Sequence, residues 1–221
     1  MKRKPFALLT ALLALMLTLT ACASAEVLPE ATQLPRPSAE ALSETKLALE
    51  RTEEPSFGNF KSVALTGETV DQSIFAGHKL TMINIWGTYC NPCISEMPDL
   101  GALNKAYEDG EFQVIGMVVD MLNHDGSVHP MAVEAAWAII DATGADYMHL
   151  LPTDDVIMMK LQYLTAVPET VFVDSQGNIL TPETQYLGAR SYEDWKAIID
   201  GLLAELPELP EAAQQPAEAG A

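Results

Sequence analysis

The apolar residues of this chain occur in runs of two kinds, and the first kind predicts β-strands. Residues 79–86 (KLTMINIW) and 112–119 (FQVIGMVV) are apolar almost throughout, which is typical of strands buried on both faces of a sheet. Shorter segments at 62–65 and 69–71 flank Thr66-Gly67-Glu68, a turn sequence that predicts a hairpin. Further strands are predicted at 147–151, 170–173 and 179–186.

Helical spacing marks the second kind of run. Residues 90–107 place a set of apolar side chains on one side of a helix: Met97, Leu100, Leu103 and Ala106. A helix over 131–143 is predicted to end at Gly144, and Ser191 is a predicted N-cap for a last helix to about residue 203. Asp154 or Asp155 is expected to cap a short helix through residue 161. Strands alternating with helices, followed by a hairpin and a helix, predict an α/β fold with a mixed sheet.

The two ends of the chain differ in composition from the middle. Residues 1–22 start with Met-Lys-Arg-Lys and continue into an apolar run, the pattern of a secretory signal. Residues 23–55 are rich in Ala, Pro, Glu, Ser and Thr, which predicts a flexible tether with at most a transient helix around 39–51. Residues 206–221 are predicted to be an acidic, disordered tail. The folded domain is therefore expected at 56–205.

Cys22 ends the signal within Leu19-Thr20-Ala21-Cys22, which resembles a bacterial lipobox. In this interpretation Cys22 is lipidated and anchors the protein to the membrane. Ordinary cleavage after Ala23-Ser24-Ala25 is the alternative. We prefer the lipoprotein because an odd cysteine in an exported protein otherwise needs a partner or remains a free thiol.

Acidic residues dominate the chain after the signal. The whole chain has 12 basic and 31 acidic residues, and Lys2, Arg3 and Lys4 belong to the signal. The remaining chain therefore has nine basic residues and a net charge of −22. Such a chain repels nucleic acid and anionic lipid headgroups. Attachment to a membrane must then come from the lipid, since no basic surface could supply it.

Cys90-Asn91-Pro92-Cys93 lies where a buried strand meets a helix, a context in which a C-x-x-C pair predicts a redox site. Cys90 falls at the start of the helix, where free N–H groups and the helix dipole favour a thiolate. Cys93 follows almost one turn later and is expected to be more enclosed. Cys90 is therefore predicted to attack a substrate disulfide, and Cys93 to resolve the mixed disulfide. Pro92 stiffens the first turn.

Other uses of these residues remain open. A zinc site needs about four ligands, and the chain has no second C-x-x-C motif. A structural disulfide closing so short a loop stabilises little. Met158, Met159, His124 and His129 could suggest copper binding, although Met in a helical segment is more often core. We therefore expect no metal and no cofactor.

The segment WGTYCNPCISEMP at 86–98 resembles the active-site signature of the TlpA/ResA-like family of exported thioredoxin-like oxidoreductases. The likeness continues in VPETVFVD at 167–174, in Gly177-Asn178 and in FAGHK at 75–79. It spans about 56–205. It implies a thioredoxin-like fold with an N-terminal β-hairpin and an inserted strand–helix element around 120–151. Tyr89 departs from the family, where Trp often precedes the first cysteine.

The resemblance also implies roles for individual residues. Pro168 would be a cis-proline facing the disulfide, leaving the backbone of Val167 free to pair with an extended substrate; an ordinary trans proline at the start of a strand is the alternative. Glu96 would be a carboxylate that tunes the cysteines and shuttles a proton; an ordinary first-turn glutamate is the alternative. A substrate-binding surface around the cysteines is expected to comprise Trp86, Tyr89, Asn91, Pro92, Val167 and Pro168.

The resulting functional hypothesis is a protein-disulfide reductase on the extracytoplasmic face of a bacterial membrane. By resemblance, a CcdA/DsbD-like membrane thiol donor would recharge it, and exported disulfide-containing proteins, as in cytochrome c maturation, would be its substrates. A soluble secreted or periplasmic location is the alternative. A disulfide-forming oxidase, a copper-handling or redox-inert binding module and a peroxiredoxin-type peroxidase are the alternative functions.

Overall fold

The computed structural model describes residues 34–107, 110–180 and 186–209, and from Pro35 onward these belong to one compact unit. The helices of this described part are α1 (Ala39–Ala48), α2 (Asn91–Asn104), α3 (Pro130–Thr143), α4 (Asp154–Met159) and α5 (Tyr192–Glu205). Its strands are β1 (Lys61–Val63), β2 (Thr69–Asp71), β3 (Leu80–Trp86), β4 (Phe112–Val118), β5 (Met148–Leu150), β6 (Glu169–Asp174) and β7 (Tyr186–Leu187).

Within the described residues, a mixed sheet has the strand order β5-β4-β3-β6-β7. Strands β3, β4 and β5 are parallel, whereas β6 is antiparallel to β3 and β7 is antiparallel to β6. β1 and β2 form a separate antiparallel hairpin. The predicted α/β class, the mixed sheet and the N-terminal hairpin are therefore confirmed.

β3 is the central strand, and all seven of its residues are buried. Its alternate side chains enter two apolar layers, as the twofold period of a strand requires. One layer includes Met82 and Trp86 and packs under α2 and α5; the other includes Ile83 and Ile85. Asn84 is the one polar residue on the α2 side of this strand. Asn84 therefore places a buried polar group between this strand and α2, the helix that starts at the cysteine pair.

The loop between β3 and α2 carries Cys90 to the carboxyl end of the central strand, because only four residues separate these two elements. In α/β sheets this edge is where functional groups gather. α3 ends at Gly144, whose φ of 68° is left-handed, as the sequence predicted.

The structure corrects the predicted boundaries of the folded domain. Leu42 of α1 is completely buried, and the Ser43 hydroxyl accepts a hydrogen bond from the Val128 backbone N–H at 2.8 Å. From Pro35 onward, the segment predicted as a tether is therefore packed onto the domain. The buried side of α1, which includes Leu42, makes this contact. At the other end, Leu209 is buried and Glu208 pairs with Lys79 at 2.5 Å, so the predicted tail also begins later.

The sequence predicted Asp154 or Asp155 as the N-cap of α4, but neither residue has this role. Thr153 is the N-cap residue, and the Asp155 carboxylate instead accepts the backbone N–H groups of Thr52 at 3.0 Å and Lys61 at 2.9 Å. This buried aspartate therefore ties the segment before β1 to the domain.

Some predictions lie outside the described residues. These are the signal at 1–22 with Cys22, the first part of the tether, residues 181–185 of the last predicted strand and most of the tail. Across the described ranges, no helix has the length and apolar character needed to cross a membrane.

Candidate active site

Cys90 and Cys93 form a disulfide at the N-terminus of α2, with their Cα atoms 5.3 Å apart. Cys90 occupies the N-cap position, and its sulfur accepts the Cys93 backbone N–H at 3.2 Å. Cys93 is fully buried, whereas 5% of Cys90 is exposed. Cys90 is therefore the less buried of the two cysteines, and its sulfur has an N–H donor that can stabilise a thiolate.

Pro168 lies at the same edge of the sheet as the cysteine loop. The register pairs Glu169 with Ile85, so Pro168, one residue earlier, lies beside the end of β3 from which the loop departs. The Val167–Pro168 peptide bond is cis, as the resemblance implied. The carbonyl of Pro168 accepts the Gly188 N–H at 2.9 Å, and Val167 is half-buried.

Glu96 is buried on the inner side of α2, only 2% exposed. One carboxylate oxygen accepts from Asn84 Nδ2 at 2.9 Å, and the other accepts from Trp195 Nε1 at 3.2 Å and the Arg190 backbone N–H at 3.1 Å. Burial raises the pKa of Glu96, while these hydrogen bonds and the charge of Arg190 work in the opposite direction. Glu96 is therefore a buried acid and not the surface residue of the alternative interpretation.

The residues that bind Glu96 were missed by sequence reasoning. Asn84 and Thr170 are neighbours across β3 and β6, and Asn84 Nδ2 lies 3.4 Å from the Thr170 hydroxyl. Trp195 and Arg190 come from the last helix and the loop before it, about one hundred residues later. The one local signal was a polar residue in an apolar strand, at Asn84.

Trp86 is completely buried, which corrects its assignment to the substrate-binding surface. Its indole N–H donates to His149 Nδ1 at 3.2 Å, and His149 Nε2 is 2.9 Å from the Ala145 carbonyl oxygen, to which it donates. Burial lowers the pKa of His149 to about 4, so the imidazole is neutral. Gly116 leaves the space for this ring: a Cβ there would lie 2.0 Å from His149 Nδ1. Trp86 is thus a buried residue held by His149, directly before the cysteine loop.

Three of the other residues assigned to substrate binding lie at the surface, whereas Val167 is half-buried and Pro168 is buried. Tyr89 is 67% exposed, and Asn91 and Pro92 are exposed in the first turn of α2. The Tyr89 ring folds back over Gly87, where a Cβ would meet it at 2.8 Å. The structure therefore brings Tyr89, Asn91 and Pro92 together around Cys90, and Val167 and Pro168 onto the same edge of the sheet.

Residues 45–194 match the family described as Redoxin, and this match covers more than half of the chain. The chain belongs to the Redoxin family. Two relatives of this Redoxin protein are each named Thiol-disulfide oxidoreductase ResA. The ResA of Halalkalibacterium halodurans is 24% identical over 149 residues, which are 64% of this chain and 73% of the relative. That of Bacillus thuringiensis (strain Al Hakam) is 29% identical over 94 residues, 39% of this chain and 54% of the relative.

Solved structures resemble the fold of this Redoxin protein. A thiol:disulfide interchange protein of the thioredoxin family from Chlorobium tepidum TLS has a TM-score of 0.54 and 22% identity, covering 70% of this chain and 99% of its own. The dsbF protein of MTB has a TM-score of 0.51 and 20% identity, covering 67% of this chain and 98% of its own. The predicted thioredoxin-like fold is confirmed.

The predicted likeness to TlpA/ResA-like oxidoreductases is confirmed by the same relatives. A cysteine pair at a helix start, in a thioredoxin-like fold of this family, performs thiol–disulfide exchange. This Redoxin protein is therefore a thiol–disulfide oxidoreductase of the thioredoxin-like kind.

A second buried acid follows the cis-proline of this Redoxin domain. Glu169 is fully buried and pairs with Lys160, which is 8% exposed. The pair lies on the opposite side of the sheet from Glu96, since Glu169 is in register with Ile85 and Thr170 with Asn84. A lysine and a glutamate buried together satisfy each other's charge, so Glu169 is held beside Pro168 as an ion pair.

The residues considered as metal ligands lie on separate elements, with Met158 and Met159 in α4 and His129 at the start of α3. No group of three or more His, Cys, Asp or Glu residues could hold a metal ion within the described ranges. His129 acts as the N-cap of α3 through Nδ1, 3.4 Å from the Ala132 N–H, and His124 is exposed.

Proposed function

We propose that this protein reduces disulfide bonds in exported proteins. The observation that carries the proposal is Glu96, a buried carboxylate on the helix that starts at Cys90. When ionised, it disfavours a second negative charge on the Cys90 sulfur. Strong oxidants of this fold owe their potential to a stabilised reduced form, so a site that destabilises its thiolate favours electron donation.

The reaction proceeds in two exchanges. The Cys90 thiolate attacks one sulfur of the substrate disulfide; the substrate S–S bond breaks, a mixed disulfide forms, and the departing substrate thiolate takes up a proton. Cys93, as its thiolate, then attacks the Cys90 sulfur and releases the second substrate thiol. The substrate gains two electrons and two protons, and the enzyme ends with the Cys90–Cys93 disulfide described above.

The oxidised enzyme requires a dithiol donor to be used again. We propose a membrane thiol donor of the CcdA/DsbD-like kind, with exported proteins, as in cytochrome c maturation, as substrates. Lipidation at Cys22 would hold the enzyme at the extracytoplasmic face of the membrane beside this donor.

The reduction potential of the Cys90–Cys93 pair tests the direction of electron flow. We expect equilibration with glutathione to place it near the roughly −270 mV of thioredoxin and far from the roughly −120 mV of DsbA. A potential close to that of DsbA would replace the reductase by the oxidase alternative.

The location has its own test. Cys22→Ala should abolish labelling by a lipid precursor and change signal processing, because no other cysteine precedes residue 90. Cys93→Ala is the matched control and should leave labelling intact. Recovery of the unaltered protein in soluble form, beginning at Glu26, would overturn the lipid anchor.

A further inference from the structure

Asp120, the second residue after β4, binds the loop that carries Cys90. Its carboxylate oxygens lie 3.0 and 3.1 Å from the Thr88 backbone nitrogen and accept that N–H, and Oδ2 also accepts the Thr88 hydroxyl at 2.5 Å. Thr88 is two residues before Cys90. Hydrogen bonds to a charged acceptor are roughly twice as strong as neutral ones. The strand next to β3 therefore holds the cysteine loop through one side chain.

The rest of the loop is fixed by main-chain contacts. The Val119 N–H donates to the Trp86 carbonyl at 2.9 Å, and the Cys90 N–H donates to the Gly87 carbonyl at 3.0 Å. Thr88 lies between these two bonds, and its N–H would lack this acceptor without Asp120. The orientation of the peptide that leads to Cys90 thus depends on the Asp120 carboxylate.

Asp120 also brings a carboxylate to Thr88, two residues before Cys90. A negative charge near a helix start opposes the dipole that stabilises a thiolate there. The other charged groups on α2 and β6 are Glu96, Asp99, Asp174 and Glu169, which pairs with Lys160, and the Arg190 backbone N–H binds Glu96. Asp99 binds the Tyr192 N–H and Asp174 binds the turn after β6, whereas the half-buried Asp120 binds the cysteine loop itself.

We propose that Asp120 is a positioning residue for thiol–disulfide exchange, holding Thr88 so that the Cys90 sulfur meets a substrate disulfide in line. Asp120 forms and breaks no bond in the reaction. Its geometry favours attack, while its charge lowers the fraction of Cys90 present as thiolate. Loss of the Asp120 side chain should therefore slow the attack of Cys90 on a protein disulfide and speed the alkylation of Cys90. The inference rests on the exchange chemistry and not on the proposed direction of electron flow.

The experiment compares Asp120→Ala with Asp120→Asn in the reduced, full-length protein. Single-turnover reduction of insulin, followed over a range of insulin concentrations, gives a maximal rate and a half-saturating concentration. Alkylation of Cys90 by iodoacetamide at pH 7 reports the thiolate without requiring alignment with a protein substrate. Asp125→Asn is the matched control, since Asp125 is an exposed acid of the following loop that binds Ser127.

For Asp120→Ala we expect a maximal rate lower by about tenfold at an unchanged half-saturating concentration, because small misplacements of a reacting group slow its reaction strongly. Alkylation should rise roughly twofold as the negative charge is removed. Asp120→Asn keeps an acceptor for Thr88, so it should restore the maximal rate and keep the faster alkylation.

A fall of both rates together, or no change in either, would overturn the positioning role. Should Asp120→Ala fail to fold, Thr88→Val removes the hydroxyl contact alone and must slow insulin reduction without changing alkylation. The wild-type rate of insulin reduction tests the proposed reductase function. The ratio of the Asp120→Ala rate to the wild-type rate tests the positioning role of Asp120. Either proposal can therefore fail without the other.

Discussion

The Glu96 carboxylate accepts a hydrogen bond from the Asn84 amide at 2.9 Å, and both side chains are buried between α2 and the sheet. Asn84 belongs to the strand that ends at the cysteine loop, and Glu96 lies three residues after Cys93 on the helix that the loop begins. The contact therefore joins the two elements that position the disulfide. Burial raises the pKa of this carboxyl, so its protonation can change closer to neutral pH than that of a surface glutamate.

Glu96→Gln should lower the pH at which Cys90 becomes reactive. The ionised carboxylate disfavours the thiolate, and its removal should move the midpoint of iodoacetamide alkylation down by about half a unit to one unit. The matched control is Glu193→Gln, which neutralises an exposed acid in the first turn of α5. Coincident alkylation profiles for Glu96→Gln and wild type would remove Glu96 from the chemistry.

The same substitution should change how stability depends on pH. Because its pKa is raised above the ordinary 4.5, Glu96 binds a proton more tightly in the folded protein than in the unfolded chain. The stability that it contributes is full below 4.5 and is lost as pH rises through the folded pKa.

The amide that Glu96→Gln introduces does not titrate, and it can donate to Asn84 Oδ1, which has no hydrogen-bond partner within the described residues. The free energy of unfolding of the variant, relative to wild type, should therefore increase with pH from about 4.5 upward and then level off. Urea unfolding of the oxidised proteins between pH 4 and 8 measures this difference. A difference that is constant across the range would contradict the raised pKa.

Gly116→Ala should destabilise the protein by displacing His149. The new Cβ would lie 2.0 Å from Nδ1 and 2.7 Å from Cε1 of the ring, so the ring must leave its hydrogen bond with Trp86. We expect a loss of about 1–3 kcal/mol in the free energy of unfolding, the usual range for overpacking.

Gly201→Ala is the control, because a Cβ there meets nothing within 4 Å and the residue lies inside α5. It should stabilise the protein by about 0.5–1 kcal/mol through helix propensity. Equal stability of Gly116→Ala and wild type would show that the His149 ring can adopt another position without loss of stability.

The strands and the cysteine pair were predictable from sequence because their signals are local. β3 is a continuous apolar run, and the C-x-x-C motif lies directly after it. The surroundings of Glu96 were not predictable, since Trp195 and Arg190 reach it from a helix and loop about one hundred residues away. Trp86 was assigned to the substrate-binding surface although it ends a strand predicted to be buried, and its partner His149 fits only because Gly116 has no side chain.

The packing of α1 was missed for a different reason. Its sequence, AEALSETKLA, has weak amphipathicity, and the residues before it are rich in proline, so composition indicated a tether. Buried Ala39 and Leu42 and the hydrogen bond from Val128 to Ser43 dock it onto the domain. Contacts of this kind depend on the shape of the receiving surface, which a sequence pattern does not reveal.

Two leucines of α1 test its docking. Leu42→Ala should cost about 2–4 kcal/mol of unfolding free energy, because the side chain is fully buried. Leu47→Ala, in the same helix with 75% of the side chain exposed, should change stability by less than about 0.5 kcal/mol. An unchanged free energy of unfolding for Leu42→Ala would contradict the docking of α1 and support the flexible tether that the composition of residues 35–55 predicts.

Cys90 should attack the substrate disulfide, and Cys93 should resolve the mixed disulfide that forms. Cys93→Ser removes the resolving thiol, so the exchange should stop at the mixed disulfide between Cys90 and a substrate. Non-reducing gels of membranes should then show adducts that disappear with a reductant, and their identification would name the natural partners. Cys90→Ser should trap far less, because Cys93 is fully buried and lacks the N-cap position that Cys90 occupies.

The double variant Cys90→Ser with Cys93→Ser is the control and should trap nothing. Equal trapping by the two single variants would refute the assignment of attacking and resolving roles. Absence of adducts from both, in membranes where the wild type cycles between its thiol and disulfide forms, would remove protein disulfides from the substrate class. In that outcome the cysteine pair would exchange electrons with small thiols alone, through Cys90 as the less buried of the two cysteines.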